Sequence, residues 1–399
     1  MHSALLTLFA LGLAAPAFAA PARIDNGAAP SEGRRDVQLE EIWRAGGEDD
    51  EIFFGSIGAV QLGVDGRFHI LDTQQSCVPV YSPDGEHLAT LGREGDGPGE
   101  VRRPGGMFLL EDGRIALLQS FPGRIVFLDA GGNPAGEATY QGPGQEQGAF
   151  CVLNAGQGLP GGELLLLGIR MSFGGTVSDQ TFFLSRCDGA GKEKVQYQSK
   201  GYQINYADFR LDEGKMDFLW NRFAVGPQGR VYTAPERNQY LVRVLAPDGS
   251  VEREFTRAYT APARDAQAKQ TATRIMEGIG SYYPTPLLGT TVESTEPAVA
   301  ALFVDPRRNV LVQTGDPGQR DPGVFCLLDE FDAQGRYVRQ LALHCPGDPR
   351  QDGLVVLGGN RVVVLRGALD AWLTQQAVAG EGESAAEAPA LEVICYAMP

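Results

Sequence analysis

Val64-Asp65-Gly66-Arg67-Phe68-His69-Ile70-Leu71, followed by Val80-Tyr81-Ser82-Pro83-Asp84-Gly85-Glu86, sets a pattern that returns along the chain. It recurs at Leu110-Glu111-Asp112-Gly113-Arg114-Ile115-Ala116-Leu117 with Val126-Phe127-Leu128-Asp129-Ala130-Gly131-Gly132-Asn133. A further copy is Val225-Gly226-Pro227-Gln228-Gly229-Arg230-Val231-Tyr232 with Leu245-Ala246-Pro247-Asp248-Gly249-Ser250. Gly66 to Gly85 is 19 residues, Gly113 to Gly132 is 19, and Gly229 to Gly249 is 20. Each copy reads as two short strands joined by a Gly turn, then two more joined by a second Gly turn. That is one four-stranded antiparallel unit. Such a unit cannot bury both of its faces alone, so copies must stack. The expectation is an all-β protein, a β-propeller.

Degenerate copies fill the gaps. The third unit is Leu159-Pro160-Gly161-Gly162-Glu163-Leu164-Leu165-Leu166-Leu167, with its second turn at Asp188-Gly189-Ala190-Gly191. The fifth is Val304-Asp305-Pro306-Arg307-Arg308-Asn309-Val310-Leu311-Val312, with its second turn at Asp332-Ala333-Gln334-Gly335-Arg336. The sixth is Leu357-Gly358-Gly359-Asn360-Arg361-Val362-Val363-Val364-Leu365, and it ends in Leu391-Glu392-Val393-Ile394-Cys395-Tyr396 with no second turn after it. The last blade therefore lacks an outer strand, and the front of the chain has a spare one around residues 37–44. An open sheet edge is a liability that ring closure removes. Pairing of 37–44 with 391–397 is expected to close a six-bladed ring spanning 36–399, with 20–35 as a leader linker.

Composition narrows the function classes. The formal net charge is −16, from 50 acidic and 34 basic side chains, and no basic run exceeds Arg34-Arg35 or Arg102-Arg103. Phosphate binding needs clustered cations, so nucleic acid and anionic membranes are disfavoured as partners. The apolar run Ala4–Ala15 and the Ala17-Phe18-Ala19 small-x-small triplet read as a signal peptide over 1–19. The run is short for a bilayer span and no later segment is a candidate, so a soluble, exported protein, periplasmic or secreted, is expected. Six cysteines follow: Cys77, Cys151, Cys187, Cys326, Cys345 and Cys395. Export permits disulfides. Cys151 and Cys187 fall on the first and third strands of blade three, with a strand between them and so beyond bonding reach, whereas Cys326 and Cys345 flank one hairpin and are the favoured pair. Buried thiols are the alternative.

Two segments break the repeat. In 262–280, Ala268, Ala272, Ile275, Met276 and Ile279 recur at helical spacing and Gly278 and Gly280 can end the helix, so a helical insertion between blades four and five is expected. It would pack over one rim, or act as a lid. Residues 377–390 are acidic and small, which reads as a mobile loop in the last blade.

Gly92-Arg93-Glu94-Gly95-Asp96-Gly97-Pro98-Gly99-Glu100 resembles the G-x-x-G-x-GPGEF phrase of exported bacterial six-bladed propellers related to NHL-repeat proteins, with Val101 in place of Phe. Asp72 at the end of the first inner hairpin, the stretch Glu236–Val244 and the helix before Pro297–Asp305 are similar to that group as well. The resemblance covers about 36–399 and implies the fold, but it assigns no activity. The Gly-Pro-Gly-Glu phrase itself reads as a turn between blades; no Lys-Ser/Thr follows, so it is not a phosphate loop.

Histidine chemistry is poorly supported. Only His69, His87 and His344 follow the leader, on second and outer strands, so a zinc site or a His-based general base at the channel is disfavoured. No catalytic residues and no metal ligands are assigned. A calcium site built on acidic side chains, as in a lactonase-like hydrolase or lyase, is the alternative reading. The favoured one is a non-catalytic binding or scaffold module that recognises a protein, peptide or glycan at one rim. Its candidate contacts are Trp220, Asn221 and Arg222 ahead of blade four, Arg102 and Arg103 ahead of blade two, and Tyr282 after the helix, because aromatic and Arg side chains dominate recognition patches.

Overall fold

In a computed structural model, residues 21–48, 52–144, 149–305, 309–315, 321–379 and 390–399 are described. The expected leader at 1–19, most of the acidic loop and Pro306-Arg307-Arg308 lie outside them. Six antiparallel sheets follow one another around a ring. Blade one is Ile57–Leu62, Phe68–Asp72, Val78–Tyr81 and His87–Leu91. Blade two is Pro104–Leu109, Ile115–Gln119, Arg124–Leu128 and Pro134–Thr139. Blade three has longer strands, Phe150–Leu159, Glu163–Gly174, Val177–Cys187 and Glu193–Asn205. Blade four is Phe223–Val225, Val231–Thr233, Leu241–Leu245 and Val251–Arg257. Blade five is Ala301–Val304, Val310–Gln313, Val324–Phe331 and Tyr337–His344. Blade six takes Gly353–Leu357, Arg361–Arg366 and Glu392–Ala397 from the C-terminal end and Glu40–Gly46 from the N-terminal end.

Ring closure falls where the sequence places it. Glu392 pairs with Gly46, Ile394 with Arg44 and Cys395 with Trp43, antiparallel. The interior then divides into six apolar cores, one at each junction between neighbouring blades. Leu164–Leu167 shows why blade strands read as continuous apolar runs. Successive side chains point to opposite faces, so Leu164 and Leu166 enter the core against blade two while Leu165 and Leu167 enter that against blade four.

The recurring Gly turn has a local cause. At Asp129, Asp188 and Asp332 the carboxylate accepts bonds from the N–H groups two and four residues on, at 2.8–3.0 Å. The glycine three residues after each sits at φ +84 to +85°, a conformation glycine adopts without the steric cost of a Cβ.

Several expectations are corrected. Residues 20–35 are not a bare linker: Ala22–Asn26 pairs parallel with the outer strand of blade four, and Arg34–Gln38 with that of blade five. Those blades have five strands, and Val37 belongs to the second of these added strands; ring closure begins at Glu40. Cys326 and Cys345 do not form the favoured bridge. Cys326 lies across from Leu343, and all six cysteines are buried thiols; burial pushes that of Cys151 up to about 12. A helix, Ala368–Ala379, occupies the start of the stretch read as a loop. The helical insertion forms over Ala266–Gly280, with Asp265 capping its N-terminus through a bond from the N–H of Ala268 at 2.7 Å.

Blades four and five are also joined by a buried polar knot. The Asp329 carboxylate accepts from the hydroxyls of Tyr240 (2.8 Å) and Tyr337 (2.7 Å), from the amide of Gln340 (3.0 Å) and from Arg257. Arg257 in turn lies over the rings of Tyr240, Tyr259 and Tyr337. A buried carboxylate with this many partners is satisfied and holds the two sheets together.

Candidate functional site

Antiparallel order sorts every connection to one of two rims. The turns between first and second strands and between third and fourth strands lie on one rim. The loops between second and third strands, and the crossings from each blade to the next, lie on the other. The Gly turns of the repeat all fall on the first. Both long helices fall on the second, because Ala266–Gly280 lies in the crossing from blade four to five and Ala368–Ala379 between the second and third strands of blade six.

The two helices meet across this second rim. A Cβ on Gly278 would stand 3.1 Å from the Trp372 ring, so glycine is what permits the close crossing. Arg274 pairs with Asp370 at 3.5 Å. Gln375 reaches Thr73 of blade one at 3.3 Å, and Tyr283 reaches Gln180 of blade three at 3.3 Å. Tyr282 lies beside Gln376 and within electrostatic range of Arg103 of blade two. The helices thus cap this rim and touch blades on several sides of the ring.

All six candidate residues from the sequence lie on the capped rim, in different settings. Tyr282 is 64% exposed. Arg103 is exposed at φ +46°, and these two come together. Arg102 is exposed but answered by Asp96 at 2.8 Å and Glu94 at 3.8 Å. Asn221 is exposed, and its carbonyl accepts from the N–H of Leu302. Trp220 is half-buried, edge-on to Phe182 and Phe218 at 5.4 and 6.2 Å. Arg222 is buried at 4% exposure, ion-paired to Asp217 at 2.6 Å and bonded to the carbonyl of Phe218. Its side chain braces the crossing into blade four and does not face solvent.

A polar cleft of about 430 Å³ opens beside that brace, between the outer strand of blade three, the 214–219 crossing and the 235–239 loop. Lys200, Asp217, Glu236, Arg237, Asn238 and Glu293 line it. The Lys200 ammonium donates to the carbonyls of Gly214 (3.0 Å) and Asp217 (2.7 Å), and burial pulls its pKa below the ordinary value. Behind the cleft Glu213 receives both terminal nitrogens of Arg264 (2.7 and 2.9 Å), Arg237 at 3.1 Å and the N–H of Glu293 at 2.8 Å. Burial works to raise the Glu213 pKa; the two arginines and the N–H outweigh it and hold the carboxyl below its usual range. Among the described residues no three His, Cys, Asp or Glu side chains converge as a metal site would need.

Lys200, Glu213 and Glu293 escaped the sequence reading, because nothing local marks residues drawn together from an outer strand and two separate crossings. Exposed rings at Phe121, Phe150 and Phe173 were missed too. No local pattern marks them: Phe121 lies in a loop, and Phe150 and Phe173 at strand ends.

No family model matches the chain, and no curated protein matches its sequence. Solved structures do match. A candidate exported protein of Bacteroides fragilis is similar over 94% of this chain and 99% of its own, at 10% identity and a TM-score of 0.50. Regucalcin of Agrobacterium tumefaciens, described as a calcium-binding protein, is similar over 92% of this chain and 97% of its own, at 10% identity and a TM-score of 0.43. Virginiamycin B lyase of Staphylococcus aureus is similar over 90% and 99%, at 9% identity and 0.41. At such identity the likeness is one of fold. The described residues hold no helix long and apolar enough to cross a membrane.

Proposed function

We propose that the chain is an exported binding propeller that presents its capped rim to a protein, peptide or glycan. One observation carries this reading: the helices, the polar cleft and the exposed rings of Phe121, Phe150, Phe173 and Tyr282 all gather on one rim. Exposed apolar area concentrated in one place marks an interaction surface more often than it marks chance. The cleft beside it carries both signs of charge on side chains already held by neighbours. That suits recognition, which needs preset donors and acceptors.

The test is amide hydrogen exchange of the mature protein with a panel of soluble glycans and extended peptides, run with calcium and with EDTA. Protection confined to the 101–104, 214–222, 235–239 and 266–283 stretches is expected, and it should not require calcium. Protection confined to the Gly-turn rim overturns the reading. A calcium-dependent rise in melting temperature accompanied by hydrolysis of a lactone would replace it with the calcium-dependent hydrolase or lyase.

A further inference from the structure

Phe121, Phe150 and Phe173 are 54%, 45% and 53% exposed, yet they touch one another. Ring centroids are 5.7 Å apart from Phe121 to Phe150 and 5.8 Å from Phe150 to Phe173. The row continues to Tyr206 at 6.4 Å. The three phenylalanines come from different elements: the loop between second and third strands of blade two, the first residue of blade three's inner strand, and the end of its second strand. Three bulky rings brought into one solvent-facing row across two blades are not scattered surface apolars, which would occur singly.

A groove of about 390 Å³ adjoins the row at Phe150 and Phe173, with Arg170, Ser172, Asp179 and Thr181 also lining it. Its charges are unequal. Arg170 is turned into the protein, bonded to Tyr140 (3.0 Å), Glu193 (3.4 Å) and Gln196 (2.6 Å), and lies over the Phe183 ring. Asp179 is exposed and takes a bond from the Gln203 amide at 2.8 Å; among the described residues no cation pairs with it. The groove carries one uncompensated negative charge, Asp179, which stands opposite Ser172 and so on the sheet face next to the one that carries Phe173, on a chain whose net charge is already −16.

Ring geometry decides between the occupants. Successive ring planes are tilted by 33° and 69°, so they form no flat platform for sugar faces. They form notches. In an extended chain, side chains on one face recur every two residues, about 6.5 Å apart, near the 5.7 and 5.8 Å that separate successive ring centroids. We propose that Phe121, Phe150 and Phe173 dock an extended peptide carrying apolar side chains at alternate positions, with a Lys or Arg flanking them that Asp179 of the adjoining groove receives. This rests on the reading of the capped rim as the binding face and names its ligand class.

The experiment is fluorescence anisotropy of the mature protein with a fluorescein-labelled peptide alternating leucine and lysine, against one alternating serine and lysine, at about 0.15 M salt. The leucine peptide is expected to bind saturably and at least about tenfold more tightly than the serine peptide. Phe173→Ser and Phe121→Ser, both at exposed positions, should each weaken it by about tenfold without altering charge, and Asp179→Asn should weaken it less while flattening its salt dependence. Equal binding of the two peptides, or binding unchanged in both Phe variants, overturns the proposal. So does a wild-type dimer that Phe173→Ser dissociates, or displacement of the peptide by cellohexaose. If the Phe variants bind normally while exchange still shows protection elsewhere on the capped rim, this site falls and the broader binding reading stands. Absence of any protection on that rim removes both.

Discussion

The two rims of the propeller obey different rules. On the plain rim the hairpins, the first of blade five apart, end in the same few residues, closed by a carboxylate or a short backbone bond and a glycine at positive φ. On the capped rim no two connections are alike: one holds a fifteen-residue helix, another a twelve-residue helix, a third the Gly-Pro-Gly-Glu loop. A hairpin turn is specified by its own residues, because the strands on either side fix its ends. The elaborated loops are specified by one another, as when Gly278 admits Trp372 or Glu213 gathers Arg237 and Arg264 from separate segments. Stability on the plain rim is thus local and repeated, and on the capped rim it is long-range and unique.

The largest expected effect comes from breaking the capped rim at its charged hub. Glu213→Ala leaves Arg237 buried without its carboxylate and Arg264 with Glu296 alone. Removing one partner from a buried ion pair costs about 3 kcal/mol or more, and the urea midpoint of the mature protein should fall accordingly. The same hub predicts an acid limb. The folded-state pKa of Glu213 lies below its ordinary 4.5, so its contribution is fully present above that value and is lost as pH falls through the folded-state pKa. Glu213→Gln should flatten that limb in a stability-versus-pH series. An unchanged limb would show that the hub does not anchor this rim.

This contrast also explains what the sequence made legible. Blade count, ring closure near 391–397, the helix at Ala266–Gly280 and Asp72 at the end of the second strand of blade one all follow from short-range patterns. Asp72, for instance, binds the N–H groups of Gln74 and Gln75 in its own loop. What failed was non-local. Ala22–Asn26 and Arg34–Gln38 carry little apolar pattern of their own, and they become strands because the outer edges of blades four and five are there to pair with. Cys326 and Cys345 flank the right turn, but the pairing register sets Cys326 across from Leu343. Trp220, Arg103 and Tyr282, named from the sequence, all lie on the capped rim. The sequence could not tell that Arg222 turns inward, since only Asp217 and the Phe218 carbonyl decide that.

Smaller effects separate two glycines on the plain rim that look identical in sequence. Gly335 and Gly113 sit at φ +85° and +84°, so any side chain costs about 1 kcal/mol of backbone strain at either. Their surroundings differ. A Cβ on Gly335 would stand 2.8 Å from the Phe255 ring, whereas nothing lies within 4 Å of one on Gly113. Gly335→Ala should therefore lower stability by about 2 to 3 kcal/mol, strain and overpacking together, and Gly113→Ala by about 1 kcal/mol. Thermal unfolding of the two variants side by side measures the difference. Equal losses would mean that the turn alone sets the cost, and that the plain rim is as local as its sequence; a larger loss at Gly335 shows that even this rim is seated on the core of the neighbouring blade. Neither variant should change peptide binding at Phe173, because the two rims lie at opposite ends of every strand.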